Sequence, residues 1–297
     1  MDDIKEFLKK RKEEIDKYLL LLLERCREES PLYASMHYSL LGDGKRLRPI
    51  MLLSVTEANK VETFKALPFA AAIEMIHTYS LIHDDLPIMD NSEYRRGRPT
   101  CHKIYGSDIA LLAGDALLSF AFEIISSKKN LEYFRESEVL RCVHEFAEFS
   151  GIKGLVGGQV MDIMTFDAPD VDENTIIYIE KRKTGALFML AVRSGAILSD
   201  VPEEELTALS KFAENFGISY QIQDDILDAV STKEELGKDT GQDKKNRKAT
   251  FVSLHGIDKA RKLAIDYIEK AVDFIRPYGS KYNILEKIAY YTIERTK

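Results

Sequence analysis

The chain of 297 residues is 45% apolar and 31% charged, enough for a sizeable core and far from a disordered composition. A formal net charge of −7 excludes a general nucleic-acid binder, because no surplus of Lys and Arg exists to neutralise a phosphate backbone. Cys26, Cys101 and Cys142 are odd in number and lack CxxC spacing, so neither a disulfide framework nor a zinc site is expected.

Helical periodicity dominates from the start. Ile4, Phe7, Leu8, Ile15, Leu19 and Leu22 recur at three-and-four spacing and predict an amphipathic helix to about Arg27. This opening has no apolar secretory core, and the Leu19–Leu23 run falls short of the ~20 residues that span a bilayer. A cytoplasmic protein without a membrane span is expected. Ser30-Pro31 restarts the chain, Gly42 and Gly44 end the next helix, and Pro49 suits a first helical position. Residues 67–85 and 107–125 are apolar on nearly every face, which places both helices at the centre of a large bundle. Asp115, alone in the second of these, reads as a buried, hydrogen-bonded residue.

Further helices are expected over 136–150, 152–165, 173–198, 203–230, 256–275 and 282–295. Gly151, Gly154 and Gly158 recur at helical spacing and point to close helix packing or room for a substrate rather than a nucleotide loop. No run alternates with period two, and no Asn-Gly or Asp-Gly turn joins β-rich flanks. The reading is all-α: one domain over 1–297, a bundle of roughly ten or more helices.

Two acidic clusters carry the chemistry. In DDLPIMD, residues 84–90, Asp84 and Asp90 would lie roughly 240° apart on a continuous helix. Pro87 disfavours that continuation, so the helix should end near Asp85 and the next turn can fold Asp90 back toward Asp84. In QIQDDILD, Asp224 and Asp228 are one helical turn apart with Asp225 beside them, an arrangement of like charges that asks for a cation. Carboxylate oxygens without His or Cys suit Mg2+, which keeps waters and shares phosphate oxygens. Two such clusters facing one cavity would hold a diphosphate between several Mg2+ ions.

With GKRLRP (44–49), IHTYSLIHDD (76–85), RRGRPT (95–100), LLAGDALL (111–118), GGQVMDI (157–163), Lys183-Thr184 and LGKDTGQD (236–243), these motifs follow one family's order. The chain resembles the trans-isoprenyl diphosphate synthases, closest to the bacterial type of farnesyl diphosphate synthase. That resemblance implies an all-helical fold around a deep central cavity, with the aspartate motifs facing each other at its mouth. It implies a homodimer that condenses isopentenyl diphosphate onto dimethylallyl and geranyl diphosphate, with three Mg2+ per site. Asp84, Asp90 and Asp224 match principal Mg2+ ligands, supported by Asp85, Asp225 and Asp228. Arg95, Lys183, Thr184, Gln221 and Lys238 match allylic-substrate positions. Lys45, Arg48, His77 and Arg96 match the isopentenyl diphosphate site, and Lys248 a further diphosphate-facing lysine.

Each residue also has a plainer reading. His77 on an apolar helix resembles a core histidine, yet it stands two turns before Asp84 on almost the same face. Lys45, Arg46 and Arg48 resemble a solvated helix start, and the cations of 238–248 a surface loop that here would close as a lid over diphosphate. Tyr79 lies about 7.5 Å below Asp84 on the helix flank, and Ser80 is one turn below on nearly the same face. In the resembled family an aromatic at that position accompanies farnesyl products, which gives the expectation of a fifteen-carbon chain. A twenty-carbon geranylgeranyl product and a non-catalytic partner subunit are the alternatives. A terpene cyclase fits less well, since Asn91-Ser92-Glu93 lacks the spacing of that class's second metal motif.

Overall fold

Apolar sequence becomes helix nearly throughout. The computed structural model describes residues 2–165, 168, 171–230 and 249–294. Its long helices are α1 (Asp2–Arg25), α2 (Pro31–Leu40), α3 (Leu47–Ala58), α4 (Thr63–Asp84), α6 (Ser107–Ile125), α7 (Glu136–Ser150), α8 (Leu155–Met164), α9 (Glu173–Lys183), α10 (Gly185–Leu198), α11 (Glu203–Val230), α13 (Ile257–Ile275) and α14 (Asn283–Glu294). Short helices α5 (Cys101–Tyr105) and α12 (Phe251–His255) fill two corners. The fold is all-α, as expected.

Helix α4 is the axis of the site. Phe69 through Ile76 are buried along it, and the small Ala70-Ala71-Ala72 run lets neighbours approach its backbone. It packs on α3, α6 and α10, while α10 carries α11 on its other side. The C-terminal ends of α4 and α11 therefore bring both acidic motifs to one end of the bundle.

Several expectations need correction. Helix α6 is not central: Ala110, Ala113, Gly114, Leu117 and Ala121 are buried, but Leu111 and Leu112 on its far side are exposed, with no helix among the described residues covering them. Asp115 lies on that open side with a side chain 60% exposed, so it is not a buried polar residue. The expected helix 173–198 is broken at Thr184, whose hydroxyl turns toward Gln221 of α11. Gly151 and Gly154 precede α8 rather than lying on it and approach the backbone at the end of α7, while Gly158 packs α8 on α9: a Cβ there would lie 2.4 Å from the Lys183 amide nitrogen.

A hairpin absent from the expectations joins α4 to α5. Tyr94–Arg95 pairs with Arg98–Pro99 across a tight turn in which Arg96 (φ 56) and Gly97 (φ 75) are both left-handed. Such two-residue turns favour Asn-Gly or Asp-Gly. An arginine in the first place hid the signal.

Helix α3 starts two residues before Pro49, with Arg46 left-handed at its cap. Arg46 is no solvated helix start. Its buried guanidinium meets Glu74 Oε1 at 2.6 Å and Asp16 Oδ1 at 2.7 Å, and donates to the carbonyls of Leu40 and Gly42 at 2.9 Å each. These bonds fasten the loop that presents Lys45 and Arg48. Among the described residues one helix, α6, is long and apolar enough by composition to cross a membrane, and its buried face belongs to the bundle.

Candidate active site

The end of α4 turns as the proline predicts. The Asp90 amide donates to the Asp84 carbonyl at 2.9 Å, folding the second carboxylate back beside the first. Burial pushes the Asp84 carboxyl up to about 6; Lys183 and Arg95 oppose the shift, while Asp90 and Asp85 add to it. Crowded, half-buried carboxylates of this kind favour a multivalent cation, and their oxygen donors match Mg2+. Among the described residues no group of three or more acidic, His or Cys side chains is already placed to hold a metal. A cation here would complete its shell with water and ligand oxygens, as Mg2+ ordinarily does.

Asp85 points elsewhere. It is buried, and Arg95 reaches it with Nη2 at 2.6 Å and Nε at 3.2 Å from Oδ1. Burial works against the Arg95 charge, but Asp85 more than offsets it, so the guanidinium stays firmly protonated. The hairpin thus aims Arg95 and Arg96 across the end of α4. Arg95, anchored on Asp85, and Arg96 both line a small cavity of ≈50 Å3 beneath the ribbon.

On the other side they line a larger cavity of ≈240 Å3 with Arg48, His77, Leu81, Thr184, Tyr220, Gln221 and Asp224. Seven residues expected from the sequence meet there: Arg48, His77, Arg95, Arg96, Thr184, Gln221 and Asp224. Arg48 lies over the Phe188 ring at 4.3 Å, with Tyr220 at 5.9 Å, so aromatic faces hold the guanidinium in place. His77 Nε2 is 3.5 Å from Arg48 Nη1. Burial, followed by Arg48, Arg96, Arg95 and Arg46, holds its imidazole well below the ordinary histidine range, hence neutral. The cavity is cationic within an acidic protein.

Lys183 stands close to the first cluster. Its Nζ meets the buried Asp162 carboxylate at 2.6 Å, and its charge reaches Asp84. On α11, Asp224 faces the cavity while Asp225, the next residue round the helix, turns inward. Asp225 accepts from Gln221 at 2.9 Å and from the Phe251 amide at 3.3 Å, tying α11 to the start of α12. Thr184 donates to Gln221 Oε1 at 2.9 Å, so a hydrogen-bonded row runs from the cavity wall to α12. Asp228 is buried one turn below Asp224.

Lys45 is exposed on the loop before α3 and is not among the residues lining this cavity. Lys238 and Lys248, and the expected lid between them, lie outside the described residues. Tyr79 and Ser80 are buried in α4, between His77 and Leu81, which line the cavity, and neither is among its lining residues. Burial pushes the Tyr79 phenol up to about 12, so it stays neutral. Tyr220 and Asp162 were missed by sequence reasoning. Tyr220 stands one helical turn before Asp224, a spacing that could have found it; Asp162 lies within the GGQVMDI motif, but its pairing with Lys183 depends on α8 and α9 lying side by side.

Fold and site together define an all-α protein with a cationic cavity that Asp224 lines and a pair of carboxylates, Asp84 and Asp90, folded together at the end of α4. A family model for polyprenyl synthetase matches residues 29–277, and the chain belongs to that family. It is 42% identical over 282 residues to the farnesyl diphosphate synthase of Bacillus subtilis, covering 95% of each chain. It is 43% identical over 265 residues to the geranylgeranyl diphosphate synthase of Cyanophora paradoxa, covering 89% of this chain and 87% of that one. Among solved structures, a Helicobacter pylori geranyltransferase complexed with magnesium and isoprenyl diphosphate superposes with TM-score 0.83 at 28% identity, covering 97% of this chain and 95% of that one.

Proposed function

We infer that the protein is a trans-prenyltransferase that condenses isopentenyl diphosphate with dimethylallyl and then geranyl diphosphate, releasing mainly farnesyl diphosphate. The carrying observation is the cavity itself: Arg48, Arg95, Arg96 and a neutral His77 line it together with Asp224, while the charge of Lys183 reaches Asp84 at the end of α4. Relatives named for farnesyl and for geranylgeranyl products are about equally similar. The preference for the shorter product rests on Tyr79, whose ring is buried in α4 five residues before Asp84, where this reading runs the growing tail.

In this reading Arg95, oriented by Asp85, and Lys183, oriented by Asp162, grip the allylic diphosphate. Arg48, Arg96 and His77 hold isopentenyl diphosphate within reach, which supplies the proximity that condensation needs. Asp84, Asp90 and Asp224, with Asp228 behind, would hold up to three Mg2+. Bound there, Mg2+ supplies positive charge for the departing diphosphate. Apolar walls from α4 exclude water from the allylic cation, and the released diphosphate takes the final proton.

A homodimer belongs to the same proposal, since Leu111 and Leu112 on α6 and Leu140 on α7 leave an apolar face that a second copy would cover. Sedimentation showing only monomer would remove that part. The reaction is tested by incubating purified protein with isopentenyl and dimethylallyl diphosphates and Mg2+, then separating the dephosphorylated alcohols. Mostly farnesol is expected. Mostly geranylgeraniol would favour the second reading, and no product would overturn both.

A further inference from the structure

Tyr79 does not stand alone. One turn along α4, His83 meets its ring edge-on, with centroids 5.7 Å apart and planes at 78°. An exposed helix-end histidine would turn freely, but this one is held from the far side. Its Nε2 lies 3.0 Å from the Leu111 carbonyl of α6, a geometry that makes it the donor. Gly114 makes the approach possible: a Cβ there would lie 2.1 Å from His83 Nε2 and 2.4 Å from Cδ2, closer than any side chain permits. The imidazole therefore fills the groove between α4 and α6, pressed on one side by α6 backbone and on the other by the Tyr79 ring. His83 is not among the residues lining the cationic cavity.

We propose that His83, seated against Gly114, is a positioning residue for product length: it wedges the Tyr79 ring in place and so sets the floor that stops the growing prenyl tail. The proposal rests on the prenyltransferase reading above. A tyrosine ring blocks a flexible chain only if it cannot swing aside, and α4 has no other aromatic in ring contact with it. Taking the wedge away frees the ring. Driving it forward narrows the floor.

The two directions give the test. His83→Ala removes the wedge and should raise the ratio of twenty- to fifteen-carbon product roughly tenfold, the scale on which pocket size discriminates hydrocarbon length. Gly114→Ala pushes the imidazole toward Tyr79 and should move the distribution the other way, toward the ten-carbon intermediate. Tyr79→Ala should lengthen the product by itself, and adding His83→Ala to it should lengthen it no further, because the wedge would have nothing left to hold. Mere loosening of the bundle would not produce opposite signs or this lack of additivity.

Product lengths unchanged in both single variants would overturn the proposal, as would a further lengthening in the double variant. Should His83→Ala fail to fold, as judged by circular dichroism, His83→Gln keeps an amide donor toward Leu111 but has no ring to meet Tyr79, and the same lengthening is expected of it. Absence of any prenyl product from the wild type would instead sink the prenyltransferase reading. Lengthening absent only in Tyr79→Ala would place the floor elsewhere and sink the wedge with it.

Discussion

Asp85 clasps Arg95 through two nitrogens, whereas its neighbour Asp84 in the same motif is paired with Asp90, whose amide folds back onto the Asp84 carbonyl. Under the proposed function, one residue of rotation at the end of a helix separates a charge that would meet the ligand from one that orients a ligand-binding arginine. The two aspartates should therefore fail differently when changed.

Asp85→Ala leaves Arg95 without its anchor. Loss of a buried pair costs several kcal/mol, reduced here to about 2 kcal/mol because the arginine side is partly exposed. Lower thermal stability with a raised KM for the allylic substrate is expected. Asp84→Asn or Asp224→Asn should preserve stability while slowing condensation by several orders of magnitude, since they remove charge stabilisation from the transition state. Denaturation curves beside steady-state rates check the contrast. Equal destabilisation by all three would contradict it.

The hairpin aims two arginines from adjacent positions, and their partners differ. Arg95 is bound to Asp85, whereas the Arg96 guanidinium lies against Gly44, in the loop beside Lys45. Arg96→Ala should mainly raise KM for isopentenyl diphosphate and Arg95→Ala mainly that for the allylic substrate. Identical effects on both substrates would show that the split is wrong.

Arg46 carries structure rather than ligand. Its removal leaves Glu74, with a side chain only 2% exposed, as an uncompensated buried charge, a loss of roughly 3–5 kcal/mol. Arg46→Met should therefore unfold at markedly lower denaturant, and the Glu74→Leu/Arg46→Met pair should recover much of the loss. A stable single variant would contradict this account of the loop.

His77 gives a pH signature. Its folded pKa is depressed, chiefly by burial, so the folded state favours the neutral ring. The stability this contributes is present above the unfolded value of 6.5 and is lost as pH falls toward the folded value. Wild type should therefore lose stability relative to His77→Gln between about pH 7 and pH 5. Parallel stability curves for the two proteins would refute a buried neutral imidazole.

Much of this was legible in the sequence for reasons that can be named. Helices 107–125, 136–150 and 203–230 match their expected limits because long apolar periodicity ends in recognisable breaks. The return of Asp90 to Asp84 followed from Pro87, and the gathering of Arg48, His77 and Asp224 from the order of motifs. What escaped depended on contacts distant in the chain. The Arg96-Gly97 turn uses a residue that rarely adopts its angles, the break at Thr184 is set by Gln221, and the exposure of Asp115 follows from what does not cover α6. Asp162 is tied to Lys183 only because Gly158 lets α8 and α9 approach.

The central claim is that both aspartate clusters close on one diphosphate through shared cations. Thermal shifts with a non-reactive allylic diphosphate analogue alone, Mg2+ alone and both together test it most directly. The account predicts a combined shift well above the sum of the separate ones, and reduction to that sum in either Asp84→Asn or Asp224→Asn. A wild-type combined shift equal to the sum, or a synergy untouched by one of those substitutions, would contradict a single site built from both ends.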